Sequence, residues 1–160
     1  MSPERFTELV RAEQESLRRF LLALCSGNAM EADDIAQDAL VRAYVASGSF
    51  LGLSKFSTWL FRIAYNCYAD RLRRKTAETV PADAPQVLNL PSPDESDDCF
   101  RYQRLYHALD SLSEKEKAVT VLHYFEERSV KEIACILQIP SGTVKYHLFN
   151  ARNHLKSLLQ

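Results

Sequence analysis

The chain has 160 residues, 46% of them hydrophobic, and a formal net charge of −1, enough apolar material to bury a core as one domain or two small ones. No apolar run approaches the ~20 residues of a membrane-spanning helix, and Met1-Ser2-Pro3-Glu4-Arg5 does not open a signal peptide; a cytoplasmic protein with no membrane insertion is expected. Cys25, Cys67, Cys99 and Cys135 form no C-x-x-C pair and lie outside ligand spacing of His107, His123, His147 and His154, so four free thiols and no metal or other cofactor are expected. Cys67 and Cys135 fall within apolar helical patterns, where a small buried hydrophobe is the expected role.

Apolar residues at three- and four-residue spacing predict a first helix over residues 3–26 and a second over 31–46. In the second, Ile35, Ala36, Ala39, Leu40 and Ala43 share one face. Asp34, Gln37, Asp38 and Val41 share the opposite one. An acidic outer face is ordinarily a solvated one, yet acids beside an amide and an exposed Val also suit the grip of a basic partner helix. A third helix is predicted over residues 57–75. Leu60, Ile63, Ala64 and Cys67 face a core there, while Arg62, Asn66, Ala69 and Arg73 line the other side with Trp59 at its edge. Cations beside an aromatic and an amide suit single-stranded DNA, because phosphates meet Arg and unstacked bases meet rings. For Trp59 a place in the core and a stacking role are equally compatible with the pattern.

Arg71, Arg73, Arg74 and Lys75 close that helix, and no Lys or Arg then occurs between Thr76 and Cys99. Glu78, Asp83, Asp94, Glu95, Asp97 and Asp98 lie there instead, among Pro81, Pro85, Pro91 and Pro93. No amphipathic helix can run through such a stretch, which reads as a flexible acidic linker. Helices resume over residues 97–112 and 114–125. Ser129 with Glu132 forms a capping box for a short helix over 130–137, Gln138-Ile139-Pro140 breaks it, and Ser141 is a suitable N-cap for a last helix over 142–159. Val144, Leu148, Ala151 and Leu155 form the core stripe of that helix and meet Ile133, Ala134 and Leu137. Beyond Pro140, Lys145, Arg152 and Lys156 stand without an acid. Two short helices across a tight turn, the second carrying cations, amides and aromatics off its core face, match a DNA-reading helix-turn-helix. Basic patches on both sides of an acidic spacer are the distribution expected where each end meets phosphate. The fold class is therefore all-α, two small helical domains joined by an acidic, Pro-containing linker.

Leu112-Ser113-Glu114-Lys115-Glu116-Lys117, Leu122-His123-Tyr124-Phe125-Glu126, Ser129-Val130-Lys131-Glu132-Ile133-Ala134 and Ile139-Pro140-Ser141-Gly142-Thr143-Val144-Lys145 resemble region 4 of bacterial RNA polymerase sigma factors. Residues 6–75, with Phe56-Ser57-Thr58-Trp59-Leu60 and the basic run after it, resemble region 2. Both occur in the order of the small extracytoplasmic-function (ECF) type. The resemblance implies region 2 over residues 1–75, a linker over 76–98 and region 4 over 99–160. It implies that Asp34, Gln37, Asp38 and Val41 bind the beta-prime coiled coil of core polymerase, and that Trp59, Arg62, Asn66, Arg73 and Arg74 bind the minus-10 element. The loop over 47–55 would hold a base flipped from the non-template strand; its Leu51-Gly52-Leu53 is more apolar than the family pattern. Thr143, Lys145, Tyr146 and His147, with Phe149, Asn150 and Arg152, would bind the minus-35 element. Region 4 would also touch the beta flap, and the linker would pass near the polymerase active site. Gln138 stands where the family usually has Gly. An anti-sigma factor is a further implied partner, and the free chain is expected to be a monomer.

Two other classes compete with this reading. One is a helix-turn-helix regulator whose first half senses a signal or dimerises, for which autonomous duplex binding or a dimer would speak. The other is a helical hydrolase or nucleotidyl-transferase, for which no H-E-x-x-H helix, Gly-rich phosphate loop or G-x-S-x-G elbow is present.

Overall fold

The computed structural model describes residues 1–77 and 97–158, and the acidic linker falls largely outside them. All regular structure among the described residues is helical: α1 (Pro3–Leu24), α2 (Ala29–Val45), α3 (Phe56–Ala77), α4 (Asp97–Asp110), α5 (Glu114–Thr120), α6 (Val130–Leu137) and α7 (Ser141–Leu158). Local chemistry sets most boundaries. Ser2 caps α1 by accepting from the Arg5 amide, with Pro3 at the first position, where its missing N–H costs nothing. Asn28 caps α2 and Ser113 caps α5 in the same way. At α6 the capping box predicted from Ser129 and Glu132 is complete in both directions. The expected cap Ser141 is instead the first residue of α7: the amides of Thr143 and Val144 donate to the Pro140 carbonyl, so the proline occupies the cap position.

The helix expected over residues 114–125 is α-helical only to Thr120 and continues as a π turn, Val121–Phe125, in which the Glu126 amide donates to the Val121 carbonyl. The extra residue per turn leaves Tyr124 and Phe125 exposed while Val121 and Leu122 remain buried. Cys135, expected in the core, lies on the exposed side of α6, where Ile133, Ile136 and Leu137 take the buried positions. Cys25 and Cys67 are buried free thiols. Burial pushes the Cys25 thiol up to about 12.

Helices α1, α2 and α3 pack on one another, and α5, α6 and α7 form the helix-turn-helix group. The two groups are in contact. α6 lies against α3 and the π turn against α1, and the buried side chains of both form one contiguous core. Phe20 of α1 stacks on Phe61 of α3 at 5.3 Å, both fully buried. The approach is close enough at Gly27 (φ +84°) that a Cβ there would stand 3.0 Å from the Tyr106 ring.

Candidate nucleic-acid and polymerase interface

On α2, Ile35, Ala39 and Ala43 are buried and turn the opposite face outward. Asp34, Gln37, Asp38 and Val41 are all exposed on it, Val41 to 63%. Val41 continues one turn on into Val45, exposed to 80%, so the carboxylates stand beside a contiguous apolar strip rather than a lone surface side chain. Asp34 has a cation only at 3.9 Å, from Arg71 of α3.

Helix α3 divides along its length. Its first two turns are closed: Ser57, Thr58, Trp59, Leu60 and Phe61 are all buried. Trp59 packs against Phe50 and Phe56, with ring centroids at 5.1 and 5.6 Å. Of the two roles open to this ring, the structure gives it the core position, because the loop residue Phe50 folds over it. Further along, Arg62 is half-buried, and Asn66, Arg73 and Arg74 are exposed. In the basic run, Arg73 pairs with Asp70 and Lys75 with Glu31 of α2. Asp70 also accepts from Arg42, at 3.1 Å, and the hydrogen bonds from these guanidiniums hold its carboxyl below the usual range. Arg74 alone of Arg71, Arg73, Arg74 and Lys75 makes no ion pair among the described residues. The loop over 47–55 opens with a 3-10 turn, Ser47–Ser49, and leaves Leu51 and Leu53 exposed to 77% and 90%.

In the helix-turn-helix, Gln138 adopts the left-handed conformation (φ 57°, ψ 47°) that ends α6, and the Ile139 amide donates back to the Ala134 carbonyl. That turn sets α7 across α5 and α6 with one face in the core and the other open. Lys145, Tyr146, Phe149 and Arg152 are exposed, with Thr143, His147 and Asn150 half-buried beside them. Val144, Leu148 and Ala151 are buried as the periodicity predicts. Thr143, Lys145, Tyr146 and His147 occupy the first two turns, the part of a reading helix that reaches base edges. Phe149 and Arg152 are set apart from them: with Tyr124, Phe125 and Leu155 they line a cleft of about 530 Å³.

The residues that sequence reasoning missed lie between the two helical groups. Arg128 is the chief of them. Its guanidinium rests on the Phe61 ring at 4.7 Å, donates to Ser57 Oγ at 2.8 Å, and has Glu13 and Glu132 each at 3.6 Å. Lys117, also buried, donates to the Leu24 carbonyl at the end of α1 at 3.0 Å. Tyr68 donates to Glu114 Oε2 at 2.6 Å; burial, then that bond, raises its phenol. Arg19 spans both oxygens of Glu126 at 3.3 and 3.4 Å. Isolated cations in mixed-charge stretches carry no periodic signal, so nothing in the sequence separates these from solvated ones.

The geometry defines a helix-turn-helix protein with a second helical unit. Residues 9–78 match the family model of sigma-70 region 2, and residues 102–155 that of sigma-70, region 4. The chain is 38% identical over 157 residues to the ECF RNA polymerase sigma factor SigW of Bacillus subtilis, covering 84% of this chain and 78% of the relative. It is 33% identical over 145 residues to the RNA polymerase sigma-H factor of Pseudomonas aeruginosa, covering 83% and 75%. Among solved structures it superposes with a TM-score of 0.82 and 28% identity on the sigma factor RpoE in complex with the anti-sigma factor NepR from Bartonella quintana, covering 98% of this chain and 97% of that one. The likeness to CnrH in complex with the cytosolic domain of CnrY, TM-score 0.77 at 23% identity, concerns the fold alone. The chain belongs to the sigma-70 family, in its extracytoplasmic-function group. It directs RNA polymerase to promoter DNA for initiation, and sigma factors are initiation factors rather than enzymes. No helix among the described residues is long and apolar enough to cross a membrane.

Proposed function

We propose that the work is divided among three surfaces, over region 2 at residues 1–75 and region 4 at 99–160. The outer face of α2, Asp34, Gln37, Asp38 and Val41, grips the beta-prime coiled coil of core polymerase. The open length of α3, Arg62, Asn66, Arg73 and Arg74, tracks the single strand of the minus-10 element, with the loop over 47–55 receiving a flipped base. The exposed side of α7 reads the minus-35 duplex: Thr143, Lys145, Tyr146, His147 and Asn150 from its early turns, Phe149 and Arg152 further along. Trp59 supports the strand track from beneath. Region 4 also meets the beta flap, and an anti-sigma factor is a partner, as one is for the Bartonella quintana protein. The cytoplasm, where polymerase acts, is the proposed compartment.

The observation that carries this reading is the outward face of α2, where the exposed strip Val41–Val45 sits beside carboxylates although the opposite face supplies core residues. Asp34→Lys with Asp38→Lys should abolish co-purification with core polymerase while leaving the helical signal and melting temperature near wild type, since surface changes usually move stability by less than ~0.5 kcal/mol. Retained core binding in that variant would remove the α2 face from the interface.

A further inference from the structure

The loop over 47–55, which joins α2 to α3, has an anchored base and an apolar tip. Phe50 packs on Phe56 and Trp59, with ring centroids at 5.8 and 5.1 Å. The hydroxyls of Ser47 and Ser49 turn back on the chain, donating to the carbonyls of Tyr44 and Ala46 at 2.7 Å each. At the tip Gly52 has φ +73°, a backbone conformation that favours glycine, and a Cβ there would meet no heavy atom within 4 Å. Leu51 and Leu53 flank it, and both are exposed. Two large aliphatic side chains on one short exposed loop exceed the single apolar residues that a surface ordinarily carries. The charge around them suits a polyanion: no Asp or Glu occurs from Ala39 to Ala69. Lys55 closes the loop with its side chain 75% exposed, and Glu132 stands 3.9 Å away.

A base received at this tip meets carbon rather than polar side chains. The hydroxyls of Ser47 and Ser49 are already engaged, and Ser54 lies half-buried beyond the tip. Of the edge groups by which the four bases differ, only the thymine C5-methyl is apolar. The amines and carbonyls of the other edges find no free side-chain partner beside the leucines, whereas a methyl against them leaves water. We infer that Leu51 and Leu53 set the specificity of the flipped position by selecting a pyrimidine that carries a C5-methyl, thymine over cytosine. The inference rests on the assignment of the flipped base to this loop and adds which base the loop accepts. Burial of one methyl group corresponds to about a fourfold preference, or ~0.8 kcal/mol.

The test uses holoenzyme assembled from the full chain and core polymerase. Its DNA is a fork junction whose single-stranded minus-10 segment comes from a promoter selected in a random library. Each position of the segment is replaced in turn by an abasic site, thymine, uracil, cytosine and 5-methylcytosine, and affinity is read by fluorescence anisotropy. Thymine and uracil differ only by the methyl, as do 5-methylcytosine and cytosine. At one position wild type should bind the methylated member of each pair about fourfold more tightly. Leu51→Ser with Leu53→Ser should bind the members of each pair alike there, and should melt with wild type because both side chains are exposed. Equal affinity within each pair at every position in wild type would overturn the inference. So would a methyl preference that survives in the double Ser variant, since another surface would then hold the methyl. The parent reading fails separately. An abasic site tolerated at every position would mean that no base is captured, and both would fall. An abasic penalty at one position without a methyl effect there would remove the leucines' selectivity and leave base capture standing.

Discussion

Gln138 ends α6 with φ 57° and ψ 47°, a conformation that puts a Cβ too close to its own carbonyl for comfort. Glycine suffers no such clash, so Gln138→Gly should raise stability by about 0.5 to 1 kcal/mol, less whatever glycine adds to the entropy of the unfolded chain. Thermal melting checks the sign: a loss would mean that the glutamine side chain makes up for its backbone. Trp59 calls for the opposite expectation. Buried against Phe50 and Phe56, it should cost ~3 to 5 kcal/mol when truncated to Ala, whereas Arg62→Ala with Asn66→Ala should leave melting nearly unchanged. A Trp59→Ala protein that melts with wild type would return the ring to the surface. The thiols give a third check at this scale. Cys25, buried and with its pKa raised to about 12, should resist alkylation that modifies the exposed Cys135 readily, as peptide mapping by mass spectrometry would record.

Among the elements, α7, to which reading of the minus-35 duplex is assigned by proposal, makes the most measurable claim. Lys145 is exposed on its second turn, so Lys145→Ala should weaken duplex binding across sequences and reduce the salt slope by ~1 if the ammonium meets phosphate. If it reads guanine, discrimination at one base pair should instead fall by ~1 to 3 kcal/mol. Unaltered affinity and selectivity in both Lys145→Ala and Arg152→Ala would take the helix out of the interface. Elements of this kind were legible beforehand because their causes are local. The Ser129–Glu132 box, the core stripe Val144–Leu148–Ala151 and the α2 face Ile35–Ala39–Ala43 follow from periodicity and capping chemistry. What was illegible depended on distant packing. Nothing in Val121–Phe125 announces a π turn, Cys135 looks apolar until Ile133, Ile136 and Leu137 claim the buried side, and Pro140 caps α7 with a backbone carbonyl that any residue could supply. The seat of Arg128 needs Glu13, Ser57 and Phe61, residues more than sixty positions away.

For the whole molecule, the contact between the two helical groups also sets a pH dependence. Burial would raise the Glu132 carboxyl, but hydrogen bonds from the Ser129 amide and hydroxyl, with the charges of Lys55 and Arg128, outweigh it and hold the group below its ordinary value. A lowered folded value means that the stabilisation is complete above the unfolded value, near 4.5, and is lost as pH falls through the folded one. The α3–α6 contact should therefore be insensitive to pH between about 6 and 8 and loosen only in acid; scattering across that range would detect any expansion that contradicts this. The central claim, that this sigma factor opens promoters by holding a strand along α3, has its most direct test in permanganate mapping of unpaired thymines on linear promoter DNA with core polymerase. Wild type should make the minus-10 thymines reactive, and Arg62→Ala with Asn66→Ala should bind core normally yet leave them protected. A double variant that opens the promoter at the wild-type rate would contradict the account.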